Sequence, residues 1–254
     1  RMTDQADAKD NKASIPTLRE SVVVRWLIGL CLVLFAVNQF LTTTVTDSSG
    51  TTQTIGLLTA FGNFNVPEGV NQHQFWRLFT YQFLHGGYIH LGMNMMALYV
   101  FGPLIEKWWG PKRFLAFYLL CGACGAWLMA MFAFNPNLIN GQHAWLVGAS
   151  GSIFGVLVAS AMLYPKDEVK LVFPPIWVTV RKLAILFILL SIGSMFIGYN
   201  VGGNAAHVGG ALFGYLLVKR PWSLDFIDPK GPSLEPPSKA EDDESALNED
   251  KDGT

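Results

Sequence analysis

Charge is what this sequence has least of. Only 15% of its 254 residues are charged, against about 25% in soluble domains, so an ordinary water-facing surface is excluded. Cysteine is nearly absent: Cys31, Cys121 and Cys124 all lie inside apolar runs, which rules out a disulfide scaffold. No second CxxC or histidine pair accompanies Cys121-x-x-Cys124, so that pair reads as small packing residues rather than a metal or redox motif. No internal period suggests repeats. The net charge of −1 conceals an asymmetry. Residues 222–254 carry ten acids and three lysines, a balance of −7, which leaves +6 for the rest. That excess is scattered in short clusters, which excludes a nucleic-acid footprint.

What the sequence has in abundance is long apolar runs; 51% of residues are hydrophobic. The first extends from about Ser21 to Leu41, broken only by Arg25, and a span needs roughly 20 such residues. It is too long for a cleavable signal and its exit, Leu41 to Thr46, shows no small-x-small site, so a retained first transmembrane helix is expected. Further runs at 88–105, 114–134, 149–164, 183–198 and 204–219 make six. The fold class expected is all-α: a polytopic membrane protein with six transmembrane helices. Residues 1–21 read as a polar cytoplasmic tail, 22–220 as the membrane domain, and 221–254 as an acidic disordered tail. With the N-terminus inside, Lys107, Lys112, Arg113, Lys166, Lys170, Arg181, Lys182, Lys219 and Arg220 are all cytoplasmic and Arg77 is the only outer cation, as the positive-inside rule requires. The first outer link, 43–87, is rich in aromatics (Phe61, Phe64, Phe75, Trp76, Phe79, Tyr81, Phe83) and is expected to fold back along the outer interface.

In this topology the second, fourth and sixth runs enter from the outside, and each carries polar groups near that end: His90 and Asn94, Ser150, and His207. Polar groups away from water cost free energy unless paired, and ionisable ones within a membrane are functional candidates. His90 and Asn94 are i,i+4 on one face. His207 shares its face with Gly210 and Gly214, and Gly151 with Gly155 forms a small-xxx-small pair that permits close helix approach. That brings Ser150 and His207 within the 2.6–3.2 Å or so that an activated serine needs from its base. No Asp or Glu lies at this depth, so a dyad is expected. Asn94, His90 and the Ser150 N–H are the donors available to an oxyanion, and the Gly148-Ala149-Ser150-Gly151 turn adds a helix N-terminus. Each piece alone is ordinary; a nucleophile, a base and an amide–imidazole pair at one depth make a site for acyl transfer. An ion-pathway transporter would instead place acids or broken helices at the midplane, where these runs are apolar.

The motifs Gly148-Ala149-Ser150-Gly151, Ala206-His207-Val208-Gly209-Gly210 with Gly214, His85-x4-His90-x3-Asn94, Trp76-Arg77 and Gly102-x3-Glu106-x3-Gly110 resemble the signature of the rhomboid intramembrane serine proteases, over about residues 22–220. The resemblance implies Ser150 as nucleophile, His207 as base, and His90, Asn94 and the Ser150 N–H as the oxyanion site. It implies transmembrane-protein substrates met in the lipid bilayer, with helix-destabilising residues near small ones, and an active site towards the periplasmic or extracellular face of what is expected to be a bacterial membrane. Neither a cofactor nor a metal is expected. One position departs from the pattern: where many members have a tyrosine stacked on the histidine, this chain has Phe154. Arg77 is expected to tie the first loop together, and Glu106 to be structural, paired with Lys107 or Arg113. The glycine-rich link Gly198 to Gly203 suits a mobile lid. His73, His85 and His143 read as solvated loop histidines. A catalytically dead relative would lack the serine or the histidine; both are here.

Overall fold

The structure, a computed structural model, describes residues 18–46, 50, 52–134, 145–171 and 174–231. Most of the assigned N-terminal tail, His143, and the acidic run after Gly231 lie outside these residues. In chain order the helices are α1 (Val22–Phe40), α2 (Leu57–Gly62), α3 (Arg77–Thr80), α4 (Tyr88–Trp109), α5 (Pro111–Ala133), α6 (Ser150–Leu163), α7 (Val180–Phe196) and α8 (Val201–Lys219). Four of them, α1, α4, α5 and α8, are long and apolar enough to cross a membrane, and α6 is a shorter apolar helix. The protein is thus mostly helical. Two short antiparallel ladders in the links are the exception: β1 (Thr42–Thr46) pairs with β2 (Thr52–Gly56) in the register Thr44 to Thr54, and β3 (Glu168–Lys170) with β4 (Trp177–Thr179). The β-branched run Thr42-Thr43-Thr44-Val45-Thr46 explains the first, since such side chains suit a pleated ribbon better than a helix.

Each long helix turns a defined stripe inward. On α1 the buried positions Val24, Leu27, Cys31, Phe35 and Asn38 recur every three or four residues and face α4. Helix α7 buries only Val180, Leu183, Ala184 and Ser191 and leaves Ile185, Leu186, Leu189 and Leu190 exposed, a composition suited to hydrocarbon rather than water. At the centre α8 packs on α5, α6 and α7. Glycines set that seam. A Cβ on Gly210 would overlap the Gly151 carbonyl oxygen, one on Gly214 would lie 2.7 Å from Gly155 Cα, and one on Gly209 3.0 Å from Gly125 Cα. Backbone meets backbone there, as van der Waals-driven association in lipid requires.

Between α4 and α5 the chain reverses at Gly110, whose φ of +77° is closed to most other residues, and Pro111 opens the next helix. Beside this turn Glu106 is buried, and its two oxygens accept the Val23 and Val24 N–H groups at 2.9 Å each. Its partner is therefore the first turn of α1 rather than Lys107 or Arg113: a carboxylate satisfies orphan helix donors and complements the helix dipole. Glu106→Ala is expected to lower stability by about 2–6 kcal/mol, since the part-buried Val23 and buried Val24 donors, at about 1–3 kcal/mol each, lose their acceptor. Glu106→Gln, which keeps one acceptor oxygen, loses about half as much. Unfolding midpoints in mild detergent check both.

The link from β1 to α4 is compact. Arg77 is buried and spends its guanidinium on the Asn63 carbonyl (2.7 Å), the Ala60 carbonyl (3.2 Å), Gln74 Oε1 (2.7 Å) and Glu68 (2.6 Å). Phe64, Val66 and Tyr81 pack inward, whereas Phe61, Phe75, Trp76 and Phe79 stay exposed. Phe64 and Leu146 exchange backbone hydrogen bonds (3.1 and 2.7 Å), and the Gly148 N–H donates to the Tyr81 carbonyl (2.9 Å), so this link is laced to the segment that leads into α6.

At the far end, order continues past residue 220. Pro221–Leu224 forms a 3-10 turn with Leu224 buried, Arg113 pairs with Asp225 (3.2 Å), and it donates to the Asp228 carbonyl (2.6 Å). The tail boundary at 221 is thus corrected: 221–231 is docked on the start of α5 by charges that composition alone assigned to a solvated tail.

Candidate active site

Ser150 is the first residue of α6 and His207 lies in the second turn of α8. The glycine seam carries them together: His207 Nε2 stands 2.8 Å from Ser150 Oγ. Gly148, two residues ahead of the serine, has φ +123°, and a Cβ there would sit 2.6 Å from His90 Nε2. Only glycine permits both that backbone and that approach. The same hypothetical atom would be 3.8 Å from Asn94 Nδ2, so the α4 amide and imidazole flank the turn that bears Ser150. Asn94 also donates to the His90 carbonyl at 3.0 Å, the i,i+4 relation read from the sequence.

A cavity of about 480 Å³ opens at this point, lined by Ser150, His207, His90, Asn94, Tyr81 and Asn200 among others. Phe154 lies face to face with His207, ring centroids 4.2 Å apart and planes within 7°. The ring is kept and the tyrosine hydroxyl is not needed for the stack. Gly151, Gly210 and Gly214 act as packing positions. Trp76 and Arg77 are not part of the cavity wall: Trp76 stacks on Phe61 at 5.6 Å in the loop, and Arg77 binds the loop backbone.

Several expectations are revised. His85 is buried, not solvated, and meets His90 edge-on at 5.2 Å. Burial, chiefly, and the neighbouring His90 push its pKa down to about 4 against a raising contact from the Phe83 backbone, so it is neutral at pH 7. His73 is exposed as expected. The link before α8 is shorter than the glycines suggested, because Val201, Gly202 and Gly203 already form the first helical turn. Asn204 pins its carbonyls at Tyr199 (2.9 Å) and Asn200 (3.1 Å).

Sequence reasoning missed three contributors. Tyr81 donates to the Gly122 carbonyl (2.7 Å), joining the loop to α5. Fully buried Gln82 donates to the Leu78 and Leu119 carbonyls and accepts from Ser152 Oγ at 2.8 Å, two residues after the serine. Ser191 Oγ lies 3.2 Å from His207 Nδ1. Tyr81 and Gln82 carried a detectable signal, polar groups in an otherwise apolar stretch; Ser191 looked like any small residue in a lipid-facing helix.

Residues 72–220 match the family model described as Rhomboid domain. The chain is 32% identical over 185 residues, 72% of its length, to the rhomboid protease GluP of Bacillus subtilis, of which it spans 33%. It is 33% identical over 177 residues, 67% of its length, to RHOMBOID-like protein 7 of Arabidopsis thaliana, of which it spans 48%. Over 137 residues, 54% of the chain, it is 29% identical to the human mitochondrial presenilin-associated rhomboid-like protein, of which it spans 35%. The chain therefore spans between a third and a half of the length of these relatives. A family model that covers more than half of the chain, over an apolar helical bundle, leads to one conclusion: this chain belongs to the rhomboid family of integral membrane proteins.

Proposed function

We propose that the chain is an intramembrane serine endopeptidase that hydrolyses peptide bonds in or near transmembrane segments. The observation that carries this reading is the 2.8 Å contact between Ser150 Oγ and His207 Nε2, two residues that line one cavity with His90 and Asn94. Helices α1 and α4 to α8 are the six spans, 22–220 is the membrane domain, and the basic links face the cytoplasm. The cavity then opens near the opposite face, where water enters without crossing the bilayer.

Ser150 Oγ attacks the scissile carbonyl carbon while His207 Nε2 takes its proton, for which a neutral imidazole is suited. The oxyanion accepts hydrogen bonds from the Asn94 amide, the His90 ring and the Ser150 N–H at the start of α6. As the tetrahedral adduct collapses, the C–N bond breaks and the leaving amine takes the proton from His207. A water, deprotonated by His207, then attacks the acyl ester; collapse releases the carboxylic acid product and returns the proton to Ser150. The substrate backbone has to be unwound at the bond, because a helix shields its carbonyls, and this favours segments with helix-destabilising residues near small ones.

Reaction of the purified protein with a serine-directed fluorophosphonate, together with cleavage of a single-span membrane protein, tests the reading; an inert protein in both assays overturns it. Asn94→Ala is expected to lower turnover by about 10²–10³ with an unchanged unfolding midpoint, the effect of removing one oxyanion donor. Unchanged turnover would remove Asn94 from that site.

A further inference from the structure

We propose that Ser191 is a positioning residue for His207: its hydroxyl receives the Nδ1–H and so holds the imidazole tautomer whose Nε2 lone pair faces Ser150. This rests on the proposed role of His207 as base. Ser191 is the one polar side chain among the four that α7 buries, and its Oγ is 3.2 Å from Nδ1. A hydroxyl in an apolar bundle is costly unless paired, and the imidazole is its partner across the α7–α8 contact. The two possible directions of this hydrogen bond are not equivalent. If Ser191 donated to Nδ1, Nε2 would carry the proton and no lone pair would face Ser150 Oγ; only the Nδ1–H form gives a base.

Helix α7 reaches the ring twice. Phe187, one turn before Ser191, meets Phe154 edge-on at 6.4 Å, and Phe154 in turn covers the imidazole face. His207 is thus held on its face by α6, at Nε2 by α6 and at Nδ1 by α7. Among the described residues no Asp or Glu hydrogen-bonds to His207, so the group that orients the ring is neutral. It fixes the tautomer without offsetting the charge of the imidazolium, and its loss is expected to cost far less than the roughly 10⁴-fold lost with a buried carboxylate partner.

Four proteins decide the matter: wild type, S191A, S191T and S191V. S191A is expected to lower kcat about tenfold with KM unchanged, and to slow fluorophosphonate inactivation by the same factor. S191T keeps the hydroxyl and stays near wild type, while S191V, which has threonine's shape without its oxygen, behaves as S191A. Imidazole 15N shifts of His207, assigned with H207Q, should report an Nδ1–H tautomer in wild type and S191T and a mixture in S191A. Wild-type kcat and tautomer in S191A or S191V overturn the inference. If S191A does not fold, the threonine–valine pair carries the same comparison. Should the wild type neither cleave nor react with the fluorophosphonate, the protease reading fails; the 15N shifts still show whether Ser191 sets the tautomer.

Discussion

Ser150→Ala is expected to lower proteolysis by at least about 10⁴-fold while the free energy of unfolding stays within about 1 kcal/mol of wild type. The hydroxyl is half-buried at the edge of the cavity and meets His207. Its removal therefore leaves no buried group stranded apart from Nε2, which cavity water can reach. The lost chemistry is the covalent step itself, and no other hydroxyl among the described residues stands within hydrogen-bond reach of Nε2. If, as proposed, Ser150 and His207 act as a unit, H207A should cost about as much, and the double variant little more than either alone. Cleavage of a purified single-span substrate, read by gel, measures the three. A Ser150→Ala protein that cut at the wild-type rate would refute the assignment.

Gly210→Ala is expected to lower both stability and rate, and it acts without touching the substrate. The added Cβ meets backbone, the Gly151 carbonyl, with Gly151 Cα also only 3.2 Å away. No rotamer relieves a backbone clash, so α8 and α6 have to part by on the order of 1 Å to regain ordinary contact. Overpacking of this kind costs about 1–3 kcal/mol. The kinetic penalty is larger, because Gly151 adjoins Ser150 and Gly210 lies one turn from His207 on the same face. A displacement of about 1 Å there costs around 10²-fold. Gly214→Ala meets Gly155 Cα at 2.7 Å one turn farther along, so a similar loss of stability with a smaller loss of rate is expected. Thermal unfolding and fluorophosphonate inactivation rates separate the two effects; equal rate losses at 210 and 214 would show that the seam acts on global stability alone.

What could be read from the sequence follows the range of the forces involved. Apolar length is local, so the runs appeared at nearly their observed positions, with ends displaced by a few residues where Val180 and Val201 start their helices early. Glycine spacing is also local, and backbone meets backbone where α6 and α8 carry their glycines. Position along each apolar run is local too, and it was enough to propose Ser150, His207, His90 and Asn94 as one cluster before any coordinates. Partners chosen across the fold left no local trace. Glu106 sits beside Lys107 in sequence, yet its carboxylate caps a helix more than 80 residues away. Serines are common in apolar helices, so nothing marked Ser191 as facing an imidazole or Ser152 as bonded to Gln82. His85 looked solvated because it falls in the first outer link; the fold encloses it regardless.

The lacing of Phe64 to Leu146 and of Tyr81 to Gly148 has a consequence for how Ser150 is held. Ser150 takes its position from two sources, the helical seam below it and the loop scaffold above it. Within that scaffold one guanidinium, Arg77, joins two carbonyls and two side chains, beside the Tyr81 and Gln82 bonds to α5. Damage in this loop, which holds neither Ser150 nor His207, is therefore expected to reach Ser150 by way of the backbone. The loop is a jig as much as a cover, and the placement of Ser150 depends on how stiffly it is braced.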